Sequence, residues 1–160
     1  MADLNDILLM RFIPQRAQTG LAVLRIWTGA ALFLRHGWEK RPAHWAQFMV
    51  HFPNPVGIGS HASFLIAFVS DFVCGILLMI GLGTRWAAAY CFANIFVAWA
   101  FVHHFAFLGK GPGSDHGEVI VLYLGALLTL VIAGPGAACV DGVLARQSGN
   151  HNPGSSGRIN

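Results

Sequence analysis

Apolar residues gather in four long runs, at positions 17–34, 62–82, 86–108 and 119–133, with short polar or Gly/Pro-rich breaks between them. At 1.5 Å per helical residue, runs of this length cover most or all of a hydrocarbon core about 30 Å thick. Each run is therefore read as a membrane-spanning helix. The breaks carry their own information. His36, Glu39, Lys40 and Arg41 mark the exit of the first run, and Gly83, Thr84 and Arg85 form a tight turn that makes the second and third spans antiparallel neighbours. The hairpin GKGPGSDHGE leads into the fourth span, and the GPG at 134–136 closes it.

The connection at 35–61 is too long for a simple hairpin and has a period of its own. After Pro42, Trp45, Phe48, Met49 and Phe52 recur at helical spacing, with His44, Gln47 and His51 opposite. This pattern predicts an amphipathic helix lying in the membrane interface, with the aromatic face toward lipid or the bundle and the histidines toward water, before Pro53 and Pro55 stop it. The fold expected is an all-α integral membrane protein, a bundle of four transmembrane helices with this interfacial helix between spans 1 and 2. Residues 1–16 form an N-terminal surface segment, 17–146 the membrane domain, and 147–160 a polar, Gly-rich tail expected to be disordered.

Composition agrees with a membrane as the solvent. Of 160 residues 55% are hydrophobic and 11% charged, well below the roughly 25% charge of an ordinary soluble domain. The net charge is +3, but the basic residues are scattered and form no stripe that could track phosphates, which argues against a nucleic-acid partner. Residues 1–6 are acidic and the first apolar patch is short, so targeting is assigned to the first span. Arg11, Arg16, Arg85 and Arg146 on the terminal side nearly balance Arg35, Lys40, Arg41 and Lys110 on the other, and both termini are placed in the cytoplasm. Cys74, Cys91 and Cys139 show no paired spacing and read as small core residues, with no metal site.

Two constellations could carry chemistry. Arg25 stands inside the first apolar run, where a charge costs at least about 2.5 kcal/mol without a partner. Asp71, the single acid deep in another run, is its expected partner in an intramembrane ion pair. Such a pair could fix helix register or make a proton or anion site, in which Asp71 alone could carry a proton. At the end of the bundle away from the termini, the topology gathers His36, Lys40, His103, His104 and Glu118, with Arg35, Asp115 and His116 nearby. They form either a solvated rim, in which Glu118 pairs with Lys40 or Arg35, or a polar pocket roofed by the interfacial helix, where a quinone ring could stack and accept a hydrogen bond. Haem b between His36 and His103 or His104 is set aside, because those histidines lie at the membrane edge and no second pair repeats deeper. No GxSxG, P-loop or dinucleotide fingerprint occurs, so no catalytic residue and no intrinsic cofactor are assigned. Gly29, Ala30, Gly75, Gly81, Gly83, Gly125 and Ala126 are the expected sites of close helix approach.

The order of three motifs, LRIWTGAALFLRHGWEK in the first span, DFVCGILLMIGLGTRWAA across the second turn and GPGAACVD after the fourth span, resembles the DoxX family of small four-helix membrane proteins. The family usually has Glu at the position of Asp71 and a small residue such as Gly at that of Cys74; the shorter acid reaches about one bond less far. The resemblance implies a prokaryotic cytoplasmic membrane and association with redox complexes, in some members with quinone-linked thiosulfate oxidation. The function expected is that of a multi-pass subunit of a redox, quinone-linked membrane complex, in contact with lipids and other subunits and not an enzyme alone. The alternative is a purely structural or assembly subunit that covers the edge of a larger complex.

Overall fold

The computed structural model describes residues 16–105 and 117–149, and all regular structure among them is helical. In chain order the helices are α1 Ala17–Lys40, α2 Trp45–His51, α3 Ser60–Ile80, α4 Thr84–Val102, α5 Gly117–Ala133 and α6 Val140–Gly149. Three of them, α1, α3 and α4, are long and apolar enough to cross a membrane, and α5 is a shorter apolar helix of 17 residues. The expected N-terminal surface segment, Arg16 apart, lies outside the described residues, as do 106–116, the end of the expected third span and most of the GKGPGSDHGE hairpin, whose last two residues, Gly117 and Glu118, open α5. The tail expected from 147 begins as the last turn of α6, which the sequence reading did not anticipate.

Close backbone approach sets the crossing of α1 on α3. A Cβ added to Gly29 would stand 2.7 Å from the Gly75 carbonyl and 2.9 Å from the Leu78 Cβ, so only glycine admits this contact. Gly125, expected to serve similarly, has nothing within 4 Å of such an atom. The buried core, where Leu32, Cys74, Leu78, Ala88, Cys91, Leu127 and Leu130 meet, joins α1, α3, α4 and α5.

The turn between α3 and α4 is tied to the far end of the chain. Gly81, at φ 74°, ends α3 in the left-handed conformation, and the Leu82 N–H closes back on the Leu77 carbonyl at 3.0 Å. The Asp141 carboxylate from α6 accepts from the Gly83 N–H at 2.7 Å and the Thr84 N–H at 3.0 Å. It thereby supplies the first turn of α4 with the acceptor that its own sequence lacks, beside the positive end of the helix dipole. Backbone bonds from Asp141 to Gly81 and from Ala137 to Gln18 complete the seam.

The rings of the amphipathic segment pack on α3. Phe64, fully buried, is contacted by Trp45, Phe48 and Phe52 with centroids 5.5–6.1 Å apart, and Trp45 also meets Phe68 at 5.3 Å. On the other side His51 is exposed, while His44 is half-buried with its Nδ1 3.2 Å from the Glu39 carbonyl.

A Gly29→Leu substitution is expected to lower the unfolding midpoint in detergent, with a loss of about 1–3 kcal/mol from overpacking. Gly125→Ala, in open space on an exposed helix face, should leave the midpoint unchanged or raise it.

Candidate functional site

All three long helices widen in the same part of the bundle. Phe33–Gly37 in α1, Val69–Cys74 in α3 and Ala98–Val102 in α4 adopt π-helical turns, with the Trp38 N–H bonded to the Phe33 carbonyl and the His103 N–H to the Ala98 carbonyl at 3.1 Å. Such turns hold one more residue than an α-turn and re-aim the side chains near them, and they recur at functional sites. Here they line one cavity of about 560 Å³ with His36, Asp71, Ala98 and Val102. The rest of its wall is mostly apolar and comes from α1, α3, α4, α5 and the segment between α2 and α3.

The polar centre of this wall is an ion pair that the sequence reading did not foresee. Lys40 donates from Nζ to Asp71 Oδ2 at 2.8 Å and to the His36 carbonyl at 3.0 Å, and the Lys40 and Asp71 side chains are only 12% and 10% exposed. Gly37 makes it possible. A Cβ at Gly37 would fall 2.7 Å from the Asp71 carbonyl, so the bare backbone lets α1 sit directly against α3 at this level, one turn below Lys40. The Trp45 indole N–H, bonded to the Lys40 carbonyl at 2.8 Å, then holds the end of α1 in place.

Arg25 and Asp71 do not form the expected pair. Gly29 opposes Gly75 and Gly37 opposes Asp71, a register that sets Arg25 beside Leu78 and Met79, about 12 Å along α3 from Asp71. Arg25, fully buried, donates instead to the carbonyls of Leu78 at 3.1 Å, Met79 at 3.4 Å and Ala138 at 3.0 Å. Two of these belong to the last turn of α3, where the Met79 carbonyl, the Leu78 carbonyl that also accepts from the Gly81 N–H at 3.2 Å, and the negative end of the helix dipole stand in for an anion.

Of the polar cluster expected at the far end, His36, Lys40 and His103 line the cavity together. His104 and Glu118 are exposed and stand outside its lining, and Arg35 pairs on the surface with Glu39. Asp115 and His116 lie outside the described residues. The roof is the segment that follows α2, through Phe52, Pro53, Pro55, Val56 and Ile58, and α2 itself is not part of the lining. Sequence reasoning missed Asp71 as a cavity residue, and with it Tyr90, Asn94 and Tyr123. The available signal was a glycine, Gly37, three residues before a lysine at a span exit, in a chain with one deep acid.

The fold and this site define an integral membrane protein of helical bundle type, with an apolar cavity that carries a neutralised ion pair on its wall. A family model for DoxX matches residues 20–104, and the chain belongs to the DoxX family. It is also 34% identical over 125 residues to a protein of Haemophilus influenzae described as an uncharacterized protein, across 76% of this chain and 87% of that one. No solved structure matches it significantly.

Double-mutant cycles on unfolding in detergent separate the two buried cations. Lys40→Met and Asp71→Leu are each expected to cost about 3–5 kcal/mol, because each strands a charge. Their combination should cost less than the sum by roughly 1–3 kcal/mol. Arg25→Leu with Asp71→Leu should be additive within about 0.5 kcal/mol.

Proposed function

We propose that this chain is a four-span subunit of a redox assembly in a prokaryotic cytoplasmic membrane, and that its cavity receives the ring of a quinone. The observation that carries this reading is the Lys40–Asp71 pair set beside His36 and His103 on an otherwise apolar wall. A volume of about 560 Å³ falls within the range of small-molecule sites, which combine apolar linings with a few placed polar groups. The charge of Lys40 is already balanced by Asp71, which favours a neutral carbonyl ligand over a carboxylate. An ammonium has three N–H donors, and Lys40 places two of them on Asp71 and the His36 carbonyl, leaving the third for a ligand oxygen. Tyr90 and Tyr123 offer ring faces within the same cavity.

The fourth span in this reading is α5, whose 17 residues reach about 25 Å, and α2 lies in the interface. Both termini are cytoplasmic. The chain has no flavin, nicotinamide or iron-sulfur motif, so electrons come from a partner subunit. The competing role is that of a structural subunit, favoured by Trp27 and Trp86, which are 77% and 84% exposed and offer aromatic surface to lipid or a neighbouring chain.

Purification in mild detergent with mass spectrometry of the extracted lipids should recover quinone with the protein. A short-chain quinone should quench tryptophan fluorescence with an affinity that falls at least about tenfold in Lys40→Met, the loss of one hydrogen bond from a charged donor. Trp27→Leu, on the outer surface, should bind as the parent does. A stable complex with partner proteins and no quinone would establish the structural role, and a Soret band would assign the cavity to haem b between His36 and His103.

A further inference from the structure

Asn94 places a carboxamide in the middle of α4, at a depth where the helix is otherwise apolar. The side chain is half-buried and lines the cavity, and among the described residues its amide has no hydrogen-bond partner. An amide withdrawn from water without such a bond costs free energy, so a polar group at this depth is explained by what it faces. Tyr90, one turn earlier on the same wall, is already committed through its hydroxyl to the Ile66 carbonyl at 3.4 Å.

The register of the bundle sets Asn94 across from Lys40. Helices α1 and α4 each pack on α3 and on α5, so they occupy opposite corners with the cavity between them. Both run antiparallel to α3. Gly37 meets Asp71, which brings Lys40 level with Phe68; Cys91 donates from Sγ to the Ser70 carbonyl at 3.2 Å, which brings Asn94 level with Ala67. The two side chains therefore start within one residue of the same level, about 1.5 Å along the axis. Ala67, which also lines the cavity, puts only a methyl group on the wall that joins them.

We propose that Asn94 is the second anchor of the ligand and that the cavity selects rings with an oxygen at each end, a specificity that rests on the quinone reading above. Lys40 donates its third N–H to one carbonyl oxygen, and Asn94 donates from Nδ2 to the oxygen at the opposite end of the ring. A para-quinone satisfies both donors, whereas a ring ketone with one oxygen leaves the carboxamide unpaired, the kind of mismatch that polar sites reject. The two ends are unequal, because a charged donor polarises its carbonyl more strongly than an amide does. The carboxamide also carries an acceptor, Oδ1, so a half-turn of the side chain meets the O–H of a quinol and both oxidation states are held in one position.

The test uses the full-length protein in mild detergent with two bicyclic ligands, 2,3-dimethyl-1,4-naphthoquinone, which has an oxygen at each end of its ring, and 1-tetralone, which has one. Quinone binding is read by quenching of tryptophan fluorescence, and tetralone binding by displacement of the quinone. Asn94→Leu should weaken the quinone about fivefold, the worth of one hydrogen bond between neutral groups, and leave tetralone unchanged, whereas Lys40→Met should weaken both. Infrared difference spectra of carbon-13-labelled against unlabelled quinone should show two carbonyl bands, both below their position in detergent alone. Asn94→Leu should return one band to that position, Asn94→Gln should keep it low, and Trp27→Leu should move neither. Equal losses of the two ligands in Asn94→Leu, or a single lowered band in the parent, overturn the second anchor and leave the quinone reading intact. A second band moved by Tyr123→Phe and not by Asn94→Leu gives that oxygen to the phenol and overturns it too. A parent protein that binds no quinone overturns both readings.

Discussion

A buried guanidinium with no carboxylate partner among the described residues governs one end of this bundle. Arg25 has no access to solvent, so its guanidinium must find acceptors inside the bundle; Nη1 and Nη2 do so, while Nε has no partner among the described residues. Its hydrogen bonds to Leu78, Met79 and Ala138 require that α1, the last turn of α3 and the segment after α5 all meet at one point. Gly81 can hold no side chain there, because a Cβ would fall 1.9 Å from Arg25 Nη1. The Asp141 clasp on Gly83 and Thr84 lies at the same end, so elements far apart in sequence are tied together there.

The other end is built on a different compromise. Three π-helical turns loosen the regular packing that Gly29 and Gly75 enforce, and the space released becomes the cavity. Lys40 and Asp71 stand on its wall because Gly37 brings the two backbones together there. One end of the molecule is thus fixed by backbone acceptors that cannot titrate, and the other by side chains that can exchange partners with a ligand.

Much of this division could be read from the residues. A charge inside an apolar run marks Arg25 in the sequence, and the apolar runs, the tight turn at Gly83 and the DoxX motifs point to the class of fold observed. The partner of Arg25 was misassigned because depth was counted along each helix as if a buried cation must find an acid. The carbonyls at the end of α3 are acceptors in every sequence and so leave no mark on this one. Register was the second obstacle. The crossing at Gly29 and Gly75 and the extra residue held by each wide turn shift Asp71 to the level of Gly37, and no periodicity announces a π-turn. His36 and His103 line one cavity, whereas His104 and Glu118, adjacent to cavity residues in sequence, are exposed and stand outside its lining.

The opposed charges of Lys40 and Asp71 bear on how the protein behaves in an energised membrane. Moving one elementary charge through the full transmembrane potential involves about 2.3 kcal/mol per 100 mV. Lys40 and Asp71 sum to zero, and a neutral ligand adds nothing, so a rearrangement that carries them together does no electrical work. Arg25, with no carboxylate partner among the described residues, is fastened to three carbonyls. On the reading proposed above, in which the cavity takes a neutral ligand, its filling and emptying carry no net charge through the potential and are insensitive to voltage.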